Sequence, residues 1–328
     1  MQMKKVLIAI LLLGLLPHAS ADYIHWVDFR LSAPVLRSAL ELDMASQGGE
    51  QPLDWIDILA LAAAWRGGTG VTVADTQRAA QALRGDTPPE RLPGMAGRYF
   101  SYYREAYGAA LGGLAGHFAI RRTDPQTGEA EWIPAYGLKA FSPIAAGYPW
   151  SHYPDFGAQR SYGYARPHLG NDILGALGTP ICAVEGGTVE ALGWNRYGGW
   201  RIGIRSDDRK RYYYYAHLRK DTPYAEGLAV GQRVQAGDVI GFMGRTGYSA
   251  QENVNNIETV HLHFGLQLIF DESQKECDSE IWIDVYPIIE LLASHCSSVA
   301  RDPQTGRWER LYPYCDLDAE PIRSAAAR

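Results

Sequence analysis

The segment His261-Leu262-His263 constrains this chain more than any other three residues in it. Alternate side chains of a β-strand share a face, so in a strand both imidazoles project into one groove. A second pair, His168 and Asp172, is separated by Leu169-Gly170-Asn171, where Gly and Asn permit the bend that lets the two side chains converge. His217 lies between these motifs, in Tyr214-Tyr215-Ala216-His217-Leu218. Taken singly, a lone His or an HxxxD pair is ordinary structural chemistry. The three motifs together supply the nitrogen and oxygen donors that zinc prefers, from separate segments of chain. No HExxH occurs, so the helix-borne Glu base of the commoner zinc proteases is absent.

His168-Leu169-Gly170-Asn171-Asp172, Tyr215-Ala216-His217-Leu218 and His261-Leu262-His263-Phe264-Gly265, in that order, resemble the signature of the lysostaphin/LytM-type zinc metallopeptidases, the Gly-Gly and D,D-endopeptidases of bacterial cell walls. The intervening Gly178-Thr179-Pro180, Gly186-Gly187-Thr188-Val189 and the run from Val230 to Gly241 agree with it. The resemblance covers roughly residues 160 to 270 and implies one zinc ion per chain, held by His168, Asp172 and His263. It makes His217 and His261 the catalytic histidines and peptidoglycan peptides the substrate. Three protein ligands leave a fourth position for water, the catalytic rather than the structural pattern. One departure stands out. The family's short Ser/Thr/Gly-rich lead into the HxH is followed here by a polar insertion, Ala250 to Val260, expected to form a longer loop at the rim of the cleft. The rival function is a catalytically silent LytM-like module that binds cell wall or regulates another hydrolase. A lipoyl- or biotin-carrier fold is excluded, since no Lys lies between residues 221 and 274.

Between Leu169 and Phe270 the sequence alternates short apolar strands with Gly turns: Ile181–Val184, Gly187–Leu192, Trp200–Arg205, Arg211–His217, Val239–Met243 and His261–Ile269. That pattern predicts an antiparallel sheet with a central groove, and the resemblance implies a β-sandwich-like core. The N-terminal part is different. Helices are expected over Ser32–Ser46, Asp54–Trp65, Thr72–Leu83 and Arg98–Ala115, from apolar spacing, a Ser32 cap with Pro34 in the first turn, and Gly stops. The chain is therefore α+β: a helical domain (22–120), a connecting hairpin and loop (121–160), the zinc peptidase domain (161–272) and a C-terminal extension (273–328). Asp124-Pro125-Gln126-Thr127-Gly128 and Asp302-Pro303-Gln304-Thr305-Gly306 each predict a hairpin turn, and Tyr136 to Tyr164 a long loop. The helical domain either packs against the cleft or binds a partner, and in this family a preceding segment can occlude the metal. His152 or Asn195 could supply a fourth ligand in such a state, although both lie outside any motif.

Met1 to Ala21 has a charged start, an apolar run from Val6 to Leu16 and an Ala19-Ser20-Ala21 cleavage site, the pattern of a secretory signal. Its apolar core is shorter than the roughly 20 residues that span a bilayer, so no stable membrane insertion is expected after cleavage. The expected location is exported: periplasm, cell wall or extracellular. A net charge of −6 argues against nucleic acid as a partner, and the oligomeric state stays open. Of the four cysteines, Cys182 sits in an apolar strand, and Cys296 is expected to pair with Cys315.

Overall fold

The computed structural model describes residues 23–162, 164–275 and 279–319; the expected export signal and Cys277 lie outside them. Four helices come first. α1 (Ala33–Ser46) carries a proline in its first turn and buries Val35, Leu36, Ala39 and Leu40. α2 (Trp55–Arg66) starts where Asp54 accepts the Ile56 N–H and stops at Gly67, whose φ of 64° suits a residue without Cβ. From Ile58 to Ala64 every side chain is buried, so this helix is the centre of the bundle. α3 (Val73–Leu83) is fixed by reciprocal Thr72 and Asp75 capping bonds. α4 (Met95–Leu111) begins three residues before its expected start and ends at Gly112.

The strands follow. β1 (Ala115–Thr123) and β2 (Ala130–Leu138) form the hairpin around Asp124, whose carboxylate accepts the N–H groups of Gln126 and Thr127. β3 (Trp150–His152), β4 (Gln159–Tyr162) and β5 (Tyr164–Pro167) occupy the stretch expected to be a single long loop. Runs of three or four residues among Gly and Pro carry too little alternation to be recognised as strands. β6 (Asn171–Gly175), β7 (Pro180–Cys182), β8 (Gly187–Asn195), β9 (Gly199–Ser206), β10 (Arg211–Ala216), β11 (Arg233–Val234), β12 (Val239–Phe242), β13 (His261–Leu268) and β14 (Ile281–Trp282) lead to α5 (Tyr286–Leu292). β15 (Val299–Arg301) and β16 (Trp308–Arg310) make the second expected hairpin, around Asp302, and β17 (Tyr314–Asp316) returns to pair with β1.

The main sheet is antiparallel throughout, in the order β11-β8-β9-β10-β13-β6-β3, with β14 added at the end of β13. Its two faces differ because neighbouring residues point opposite ways. Ile173, Leu262, Phe264, Tyr215, Tyr213, Ile202 and Ile204 are buried on one face, with Ile181 and Ile240 of the β7–β12 pair in the same core. Asp172, His261, His263, Tyr214 and Arg201 occupy the other face and line a cleft. The helices join the same continuous core, and α5 packs on α1.

One buried polar cluster fixes the helices to the sheet. Arg211 of β10 donates through Nε and Nη2 to both oxygens of Glu185, at 2.7 and 3.0 Å. Its Nη1 donates to the Ala109 carbonyl at 2.7 Å, one of the carbonyls the end of α4 leaves without a helical partner. The Tyr213 hydroxyl donates to the same Glu185 at 2.6 Å. The chain passes so close that a Cβ at Gly113 would fall 1.7 Å from Glu185 Oε1, so only glycine fits there.

The expected Cys296–Cys315 bridge is absent: both thiols are free, as is Cys182. Cys315 is held in β17 opposite Ala119, while Cys296 follows α5 and donates to Ala293 O, so the two belong to separate elements despite their proximity in sequence.

Candidate metal centre and cleft

The HxH pair lies at the start of β13, whose register sets His263 opposite Asp172 of β6 and opposite Ala216 of β10. His168 sits in the loop before β6. Its return toward the sheet brings Gly170 against β13, where a Cβ would lie 2.6 Å from Phe264 O and 2.7 Å from His263 Cε1. The glycine in this motif therefore serves close approach as well as the bend. His168 Nε2, Asp172 Oδ1 and His263 Nδ1 converge: 3.0 Å between the first two, 2.8 Å between the imidazoles and 3.2 Å from His263 to Asp172. Donor atoms of these three residues all lie within 4.8 Å of one another, a set able to hold a metal ion. Two imidazoles and one carboxylate lining the cleft match what zinc takes.

His217 and His261 stand beside this group. Their rings are 4.7 Å apart, and the His217 ring lies 5.9 Å from that of His263. His217 Nδ1 meets Thr246 O at 2.9 Å and His261 Nδ1 meets Thr259 O at 2.9 Å. A carbonyl only accepts, so both Nδ1 atoms carry the hydrogen, and both Nε2 atoms are turned away from these anchors. His217 itself has φ 61°, a left-handed turn out of β10 held by its N–H on Gly198 O. Such a conformation costs of order 1–3 kcal/mol in a non-glycine residue and re-aims the imidazole. Burial, reinforced by the neighbouring His261 and His263, holds the His217 pKa well below its usual value.

Behind the three donors runs a hydrogen-bonded chain that sequence reading did not find. Asp155 takes His168 Nδ1 at 3.2 Å and Asn171 Nδ2 at 2.8 Å. Asn171 Oδ1 accepts from His152 Nδ1 at 2.6 Å, and His152 Nε2 meets Glu290 of α5 at 2.6 Å. His152 thus orients Asn171 and does not reach the metal group; Asn195 binds the Tyr214 hydroxyl in the cleft wall. Arg160 of β4 bridges Asp155 and Asp172 Oδ2, each at 2.9 Å. Burial pushes the Asp172 carboxyl up, but hydrogen bonds from His168 and His263 outweigh it and hold the group well below the usual range. Burial lowers the His168 pKa, yet Asp155 and Asp172 outweigh that and raise it to about 9.

The cleft has a volume of about 800 Å³ and is lined by residues between Tyr153 and Trp282, none from the four N-terminal helices. Those helices therefore do not occlude the site. Asn256 to Thr259 of the polar insertion do line it, at the rim where a longer loop was expected. Residues 166–276 match the family model described as Peptidase family M23. The chain carries an M23 peptidase domain. Relatives of that domain include the L-Ala–D-Glu endopeptidase of Bacillus subtilis (strain 168), 40% identical over 130 residues, covering 40% of this chain and 38% of that protein. Lysostaphin of Staphylococcus simulans is 37% identical over 98 residues, 30% of this chain and 17% of its own length. The chain thus spans well under half of these relatives, and the likeness lies in the M23 segment. Among solved structures, a lytM glycyl-glycine endopeptidase from Ruminococcus gnavus aligns with 82% of this chain and 91% of its own, at 26% identity and a TM-score of 0.48. Among the described residues no helix is long and apolar enough to cross a membrane.

Proposed function

We propose that this protein is an exported zinc metalloendopeptidase that hydrolyses peptide bonds in peptidoglycan stem peptides or cross-bridges. The observation that carries the reading is the convergence of His168, Asp172 and His263 with two further histidines, His217 and His261, each anchored through Nδ1 to a backbone carbonyl. The three converging residues hold the metal. Zinc bound there supplies a Lewis acid, which polarises the scissile carbonyl and makes water a stronger acid. His217 and His261 orient water through Nε2, take up its proton and return a proton to the leaving amine, while their N–H⁺ form stabilises the developing oxyanion. Depressing the His217 pKa keeps that imidazole neutral, in the proton-accepting form, across the ordinary pH range. Asp155 fixes the tautomer of His168, the outer-ligand role that typically governs metal affinity by 10- to 100-fold.

Incubating purified residues 22–328 with isolated cell walls tests the function. New muropeptides whose masses identify one cleaved peptide bond, and their absence after chelation, are the expected result. Zinc binding without any product would leave a wall-binding or regulatory module.

The same site predicts a pH signature. In metal-free protein His168 carries a proton up to about pH 9, and as a ligand it must be neutral, so zinc loading near pH 7.5 releases about one proton. Because its folded pKa is raised, its contribution to stability is complete below 6.5 and is lost as pH rises through 9. His217 acts oppositely: its pKa is depressed, so stability falls as pH drops below 6.5. Unfolding midpoints of metal-free protein should decline between pH 6.5 and 9, and zinc-loaded protein should not show that slope. Calorimetric titration of zinc in two buffers of different ionisation enthalpy counts the proton.

A further inference from the structure

We infer that Arg201 is the cleft's binding position for a carboxylate of the peptide substrate; the peptide class of the ligand rests on the hydrolase reading above. Arg201 lies on β9, adjacent to Ile202, which pairs with Tyr215 of β10. The next position along β10 is Ala216, opposite His263, itself opposite Asp172. Arg201 is therefore about two strand spacings, ~10 Å, from the metal group, on the same face of the sheet. It lines the cleft.

The charge of Arg201 is unusual among the cations there. Arg160 is neutralised by Asp155 and Asp172, and Lys275 pairs with Glu190. The Arg166 guanidinium lies 4.7 Å over the Tyr197 ring. Arg205, four residues further along the same strand, is held by Glu272 at 2.6 Å. Arg201 has no carboxylate within ion-pair distance among the described residues, and its buried Nε has no hydrogen-bond partner. Its guanidinium lies beside the phenols of Tyr214 and Tyr224, where it opposes the effect of burial on their ionisation. A buried donor left unsatisfied costs about 1–3 kcal/mol, more for a charged group. A carboxylate entering the cleft would satisfy it with a charge-assisted bond, and the ~10 Å offset suits an acidic side chain or terminus a residue or two from the scissile bond. The four cationic lining residues, against Asp172, Glu258 and Glu280, give the cleft a cationic balance in a protein of net charge −6.

The probe is the stem peptide L-Ala–D-Glu–L-Lys–D-Ala, compared with the same peptide carrying amides in place of its carboxylates. Calorimetric titration of His217→Ala protein reads the affinity ratio without turnover. Charge-assisted hydrogen bonding predicts about 10- to 100-fold tighter binding of the carboxylate form. Adding Arg201→Gln should bring the ratio to about one, and Arg201→Lys should restore part of it. A ratio near one before that change, a ratio that survives Arg201→Gln at an unaltered unfolding midpoint, or binding of neither peptide overturns the inference. Carboxylate-selective binding by a protein whose wild type releases no muropeptides from isolated cell walls would overturn the hydrolase reading and leave this one standing.

Discussion

His263→Ala is expected to lose both zinc and turnover, whereas His217→Ala keeps the metal and loses turnover alone. The split follows from geometry. His263 Nδ1 lies within 3.2 Å of the donor atoms of Asp172 and His168, so its removal leaves two protein donors, too few for a stable site. His217 is tied to Thr246 O and contributes none of the three donor atoms. A positioned general acid–base contributes about 10²–10⁴-fold in rate, which sets the scale of the His217 loss. Zinc content by atomic absorption, measured beside muropeptide release, separates the two variants. Loss of zinc from His217→Ala would contradict the division of roles.

Arg211→Met is expected to destabilise the fold by about 3–5 kcal/mol, because it leaves Glu185 buried and unpaired. The pair is almost wholly desolvated, with 1% and 9% of the side-chain surfaces exposed. The loss should be much larger than that of an exposed pair such as Arg307–Glu226, worth about 0–1 kcal/mol. Removing the partner as well, in Glu185→Leu/Arg211→Met, should recover much of the loss, since the stranded charge disappears with it. Guanidinium unfolding of the four proteins gives the coupling directly. Additive losses would show that the two side chains act independently.

The parts of this structure legible in the sequence are those written in local periodicity. The HxH alternation sets both imidazoles of β13 on the cleft face, and apolar spacing with the Ser, Pro and Gly signals places the four helices to within a few residues of their ends. His168, Asp172, His217, His261 and His263, drawn from three distant segments, meet at one site. What escaped was non-local. Asp155 and Arg160 belong to no motif; they reach the metal group only because β3 pairs with β6 and the β4–β5 hairpin folds over it. Arg211 resembles any other strand cation until α4 ends against it. The mistaken Cys296–Cys315 pairing came from treating nearness in sequence as nearness in space, which β17 defeats by returning to β1.

The contact of Arg160 with Asp172 also bears on which cations the site rejects. With Oδ2 committed to the guanidinium at 2.9 Å, Asp172 presents one oxygen, Oδ1, toward the two imidazoles. Calcium seeks six to eight oxygen ligands and often a bidentate carboxylate, and magnesium an octahedron of oxygens. A nitrogen-rich pocket with a single available carboxylate oxygen handicaps both. Were a metal held there, discrimination against calcium and magnesium would thus rest on the β4–β5 hairpin, through one arginine that is not among the three donors.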